Sequence, residues 1–161
     1  MKANRIYLYS AILLMFILPT ISVLIDYRLS RNNPNLFSLI GKWFVFWSVG
    51  CRLLIAGLRQ TFQPEFTAET IFHFKDKESF VVIRELGFAN ICAGLTAIIS
   101  LVIPQWRIVA AFSGGLFLGI AGLNHLIRNP DDPNERIPMI SNLLIFLIMA
   151  VYLINYIIIG K

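Results

Sequence analysis

The sequence predicts an all-α fold, an integral membrane bundle of about five helices (four to five spans) with a short interfacial helix between the second and third. Three observations predict it. Of the 161 residues, 57% are hydrophobic and only 14% charged, and the mean hydropathy of +0.72 lies beyond the range of a soluble domain. The apolar residues fall into stretches of roughly 20, the length that crosses a hydrocarbon core about 30 Å thick at about 1.5 Å per helical residue. No stretch alternates as a barrel strand does, so backbone groups in lipid must find their partners within helices. The spans leave no room for a soluble domain, and 1–161 reads as a single transmembrane unit.

The first span, about Ile6 to Ile25, follows Lys2 and Arg5. It is too long for a signal peptide, contains Pro19 and lacks an Ala-x-Ala-like site near Asp26, so it reads as an uncleaved helix. "DYRLSRNNPN" is a polar turn, and the second span, about Leu36 to Leu58, carries Trp43 and Trp47 where an aromatic belt is expected. Arg59 to Ser79 is the one long connection. Within it "FTAETIFHF" predicts a short helix lying on the bilayer, with Thr67 as N-cap and Phe66, Ile71, Phe72 and Phe74 as surface anchors. The third span runs about Phe80 to Ile103 and is ended by Pro104, and the fourth runs from Trp106 to about Ile127. "RNPDDPNERIP" predicts a turn whose prolines stop any helix before the fifth span, about Met139 to Ile159.

The net charge of +5 does not indicate nucleic acid, because the basic residues sit at span ends, where Lys and Arg flank lipid. Lys2, Arg5, Arg59, Lys75, Lys77, Arg128 and Arg136 fall on the N-terminal side, against Arg28, Arg31, Lys42, Arg107 and Lys161 on the other. That excess favours a cytoplasmic N-terminus. Cys51 and Cys92 lie in apolar segments without metal spacing and read as small core residues.

The remaining polar residues gather on the N-terminal side. Arg59, Glu69, His73, Arg84, Glu85, His125 and Glu135 all belong there, while Arg52 and Asn142 each lie seven residues further in, roughly 10 Å deeper at helical rise. Asn90 is almost as deep. Helical phase puts Arg52 and Arg59 on one stripe with Gly41, Ser48 and Ala56, opposite Trp43 and Trp47, so the arginines face the bundle. On the fourth span Ala110, Ala111, Gly114, Gly115, Gly119, Ala121 and Gly122 form a small-residue arc that permits close backbone approach, with His125 inside it. On the fifth, Glu135, Met139, Asn142, Phe146 and Met149 share one stripe.

An ionised group at mid-bilayer costs about 2.5 to 3.5 kcal/mol unless it is paired. Glu85 is the expected partner of Arg52, with Glu135 second and Asn90 and Asn142 filling the remaining donors, while Arg84 snorkels toward headgroups. Such a network is either a structural device that fixes helix neighbours or a ligand or proton site.

"GKWFVFWSVGCRLLIAGLRQ", "QPEFTAETIF", "IRELGFANI", "GGLFLGIAG" and "NERIPMISN" together resemble a family of small bacterial integral membrane proteins of unknown function. A looser likeness is to DoxX-like small helical membrane proteins. The resemblance implies a bacterial inner membrane and a compact bundle, and the DoxX likeness adds a hint of quinone-linked electron transfer. It brings no catalytic residue.

Two functions are expected from these residues. One is a non-catalytic accessory or scaffold subunit that packs on itself or on a larger complex through small-residue faces. The other is a membrane protein binding a quinone, an anionic amphiphile or a proton, with Arg52 and Arg59 as anion anchors, Glu85, His125 and Glu135 as proton-exchanging groups, and Asn90 and Asn142 completing the cluster. No nucleophile triad, phosphate loop, dinucleotide fingerprint or zincin motif is present, and no cofactor or metal is expected. Membrane lipid is the one certain partner of either.

Overall fold

The computed structural model describes residues 5–30, 34–74, 76–128 and 133–159, the side chains of 133 and 134 aside. Lys2, Arg31, Lys75 and Lys161, which entered the charge comparison, lie outside the described residues. The described residues contain no strand. Among the described residues, five helices are long and apolar enough to cross a membrane: Arg5–Leu29, Leu36–Phe62, Ser79–Ile99, Trp106–Arg128 and Glu135–Ile159. The chain is a multi-pass membrane protein.

The second and third spans pack through glycines. A methyl group on Gly57 would lie 2.6 Å from the Gly87 carbonyl oxygen, and one on Gly94 would lie 2.6 Å from the Leu54 nitrogen. Gly50 and Gly57 on one helix, and Gly87 and Gly94 on the other, each recur at seven residues, so both seams stay in register. The fourth-span arc is filled from the fifth helix: Met149 lies over Gly115, Phe146 over Gly119 and Leu143 over Gly122. Val49 of the second span occupies the space over Gly114.

The first span contains a wider, π-helical turn at Leu13–Ile17, and the second contains one at Val45–Cys51. Pro19 has no N–H to give the Met15 carbonyl four residues before it. The Ser48 hydroxyl supplies the missing donor, lying 3.2 Å from that oxygen and 3.3 Å from the Leu14 oxygen.

Four expectations change. The third span ends at Ile99 rather than Ile103, because Leu101 and Val102 bond back three residues in tight turns ahead of Pro104. The fifth helix begins at Pro133, before the expected Met139, and carries Pro138 inside it; Pro133 stands in the first turn, where a proline has no intrahelical bond to lose, so it opens the helix rather than stopping it. The short helix forms at Phe66–Ile71, but Glu65 is its N-cap, and Thr67, Ala68 and Ile71 are buried. Of its four expected anchors Phe74 is exposed, Phe66 and Phe72 are half-buried and Ile71 faces inward. Lastly, Cys92 is exposed on the outer face of the third span rather than in the core.

Candidate functional site

Every span and the linker helix contribute to one cavity of about 160 Å³ at the N-terminal end of the bundle. Arg52, Arg59 and Gln60 come from the second span, Asn90 from the third, His125 from the fourth and Asn142 from the fifth. Tyr7 of the first span and Phe66 and Phe72 of the linker complete the wall.

Arg52 is the deepest charge. Its Nη2 donates to Ser141 Oγ at 2.7 Å and to Asn142 Oδ1 at 2.6 Å. Its Nη1 is buried and has no hydrogen-bond partner among the described residues. Arg59, half-buried, lays its guanidinium 3.4 Å from the centroid of Phe66, a cation–π contact that holds the arginine without neutralising it. Tyr7 meets the same ring edge-on at 6.1 Å. Asn90 Nδ2 donates to Gln60 Oε1 at 2.7 Å, tying the third span to the second at the cavity wall. No Asp or Glu stands among the described lining residues, so two arginines face a hollow without a carboxylate.

The expected Arg52–Glu85 pair does not form. Glu85 is exposed on the outer face of the third span; the chain turns Gly87 and Asn90 inward to meet the second span, which carries Glu85 away from it. Arg84 is also exposed, consistent with a snorkelling side chain. Glu135, the second expected partner, is engaged elsewhere. Its carboxylate is buried, with His125 Nδ1 at 3.3 Å, Arg128 Nη1 at 3.7 Å and His73 Nε2 at 3.9 Å. His125, only 6% exposed, stacks on Phe72 at 6.1 Å and 10°, and Phe72 stacks in turn on Phe74 at 5.5 Å. His73 stands in the left-handed region at φ 58, where the linker reverses. The carboxylate therefore clasps linker, fourth span and fifth span together over the outer end of the cavity.

The sequence reading expected Arg52, Arg59, Asn90, His125 and Asn142 to cluster, and they line this one cavity; it expected Glu85 and then Glu135 as partners of Arg52, but Glu85 is exposed and Glu135 meets His125. It missed Ser141, whose hydroxyl does the work assigned to a carboxylate, as well as Tyr7 and Gln60. Ser141 follows from Asn142 by adjacency, but nothing in a serine among apolar residues marks it as an arginine's acceptor. It also missed polar groups at the opposite end: Asp26 Oδ2 accepts from Lys42 Nζ at 2.7 Å and from Trp43 Nε1 at 2.9 Å, and Trp47 Nε1 donates to Ser22 Oγ at 3.0 Å.

The extent of the bundle, from Arg5 to Ile159, matches what one family spans. Residues 9–159 fit the family described as "Family of unknown function (DUF6790)". The chain belongs to this family. No curated protein matches it, and no solved structure does. The match begins inside the first span and takes in the other four and every cavity residue but Tyr7, and it brings no assigned activity to them.

Proposed function

We propose that this protein is a non-catalytic membrane protein that binds the anionic head of an amphiphile in the cavity around Arg52. The observation that carries this reading is the state of that guanidinium: one nitrogen is fixed by Ser141 and Asn142 while the other, buried, bonds to nothing among the described residues. A buried donor left unmade costs about 1–3 kcal/mol, more when charged, and a cation without a carboxylate neighbour is held at further expense. An anion at Nη1 relieves both. Arg59, Asn90 and His125 stand around the same space, so a bound head would meet further donors.

The accessory-subunit reading rested on small-residue faces, and those are filled from within the same chain by Val49, Leu143, Phe146 and Met149. A paired-carboxylate reaction lacks support as well, since Glu85 is exposed and Glu135 is committed to its clasp. The reading sets the protein in a bacterial inner membrane, as the family resemblance implies, with a cytoplasmic N-terminus on the excess of Arg5, Arg59, Lys77, Arg128 and Arg136 over Arg28, Lys42 and Arg107. A quinone, also considered on the DoxX likeness, supplies carbonyl oxygens but no charge for two arginines.

Native mass spectrometry of protein extracted in a neutral detergent tests it. Wild type is expected to carry a co-purified anionic lipid or fatty acid, and Arg52→Gln to lose it while Arg52→Lys retains part. Equal adducts on wild type and folded Arg52→Gln would overturn the reading.

A further inference from the structure

The cavity has two ends, and they differ. Its outer end is covered by the linker helix and by the Glu135 clasp, which joins His125, Arg128 and His73. Sideways, toward the gap between the first and fifth spans, the wall is thin. Tyr7 and Asn142 line the cavity, while their chain neighbours Leu8 and Ser141 line a second hollow of about 180 Å³ on the outer side of the same two helices.

This second hollow is an apolar groove. Ala11, Met15, Ile137, Ile140 and Leu144 form its walls, and Arg136 stands at one end. Ser141 belongs to both sides: it lines the groove, and its hydroxyl accepts the bond from Arg52 Nη2. A single side chain therefore separates a buried guanidinium from a lipid-facing channel. The first and fifth spans touch each other sparingly compared with the second and third or the fourth and fifth, which makes this seam a candidate for lateral entry.

The volumes point the same way. An apolar cavity of about 150 Å³ holds one benzene-sized molecule; the Arg52 cavity, at about 160 Å³, holds a head group but not a head with a long tail.

Resting on the reading that an anion sits at Arg52, we infer that the ligand is a single-chain anionic amphiphile, a carboxylate or phosphate monoester, that arrives from the bilayer between the first and fifth spans and leaves its alkyl tail in the groove beside Ser141. Lipid tails are as apolar as leucine, so the groove contributes little affinity of its own. Its role is to decide where the tail lies once Arg52 holds the head, and so to favour one chain over two.

The test reads position rather than affinity. Wild-type protein in lipid nanodiscs is photolabelled with a dodecanoate carrying a diazirine near its methyl end, with dodecyl phosphate and dodecanol bearing the same group in parallel, and labelled peptides are mapped. The expected result is labelling of 8–16 and 137–144 by the carboxylate, the phosphate or both, and its loss in Arg52→Gln. Dodecanol should label these segments no more than other lipid-facing surface. Ile140→Trp, a change on an exposed position, should reduce labelling of the groove about tenfold by filling it, with Arg52 intact. Arg52-dependent labelling at 66–74 instead would overturn the lateral route while leaving the anion site standing. Labelling of the groove that does not depend on Arg52 in any folded variant would overturn both.

Discussion

The two ends of the bundle handle charge in opposite ways. At one end Asp26 is saturated, its carboxylate taking a lysine ammonium and an indole N–H from the second span within 2.9 Å. At the other, Arg52 is held by two neutral oxygens and keeps one nitrogen buried and, among the described residues, unbonded, beside a hollow that a second arginine also lines. The first arrangement closes on itself and does one thing, fixing the first helix against the second. The second is incomplete within the described residues. A charge that only pinned helices together would be expected to find its counter-charge among them, as Asp26 does.

The comparison is sharpened most by removing the clasp. Glu135→Ala leaves His125 and Arg128 without their buried acceptor and releases the linker, and should lower stability by about 2 kcal/mol, read as an earlier unfolding midpoint in detergent. It should also make a thiol placed at Ala121 in the cavity, with Cys51 and Cys92 replaced by serine, react faster with a water-soluble thiol reagent. An unchanged rate would mean that the linker does not cover the cavity's outer end. Asp26→Asn should cost less, about 1 kcal/mol, because Asp26 and Lys42 retain 22% and 30% side-chain exposure and asparagine still accepts from Trp43. A loss larger than that of Glu135→Ala would reverse the ranking of the two ends.

How far the sequence foretold these features depended on whether one helix or two had to be known. Hydropathy and length sufficed for the five spans, since each span meets lipid on its own terms. Phase along a single helix sufficed to turn Arg52, His125 and Asn142 inward, and depth sufficed to group Asn90 with them. Pairing across helices did not follow, because phase says which way a residue points and not what waits there. Glu85 was matched to Arg52 on charge and depth, yet the Gly57–Gly87 seam faces inward on the third span and leaves Glu85 outside. Ser141 had no charge to advertise it. The linker was read as a surface helix because its aromatic residues suit an interface; the reversal at His73 instead folds it back so that Phe72 stacks on His125. The π-turns were invisible for a similar reason: the donor that compensates for Pro19 sits on another helix, at Ser48.

The most direct test of the central claim is a density map at side-chain resolution of the protein purified with its native lipids. The account predicts non-protein density within hydrogen-bond distance of Arg52 Nη1, a head group at the arginine with its tail leaving past Ser141. A guanidinium whose Nη1 is bonded solely to a protein carboxylate would contradict it and would make Arg52 a second Asp26, a charge spent on holding helices together.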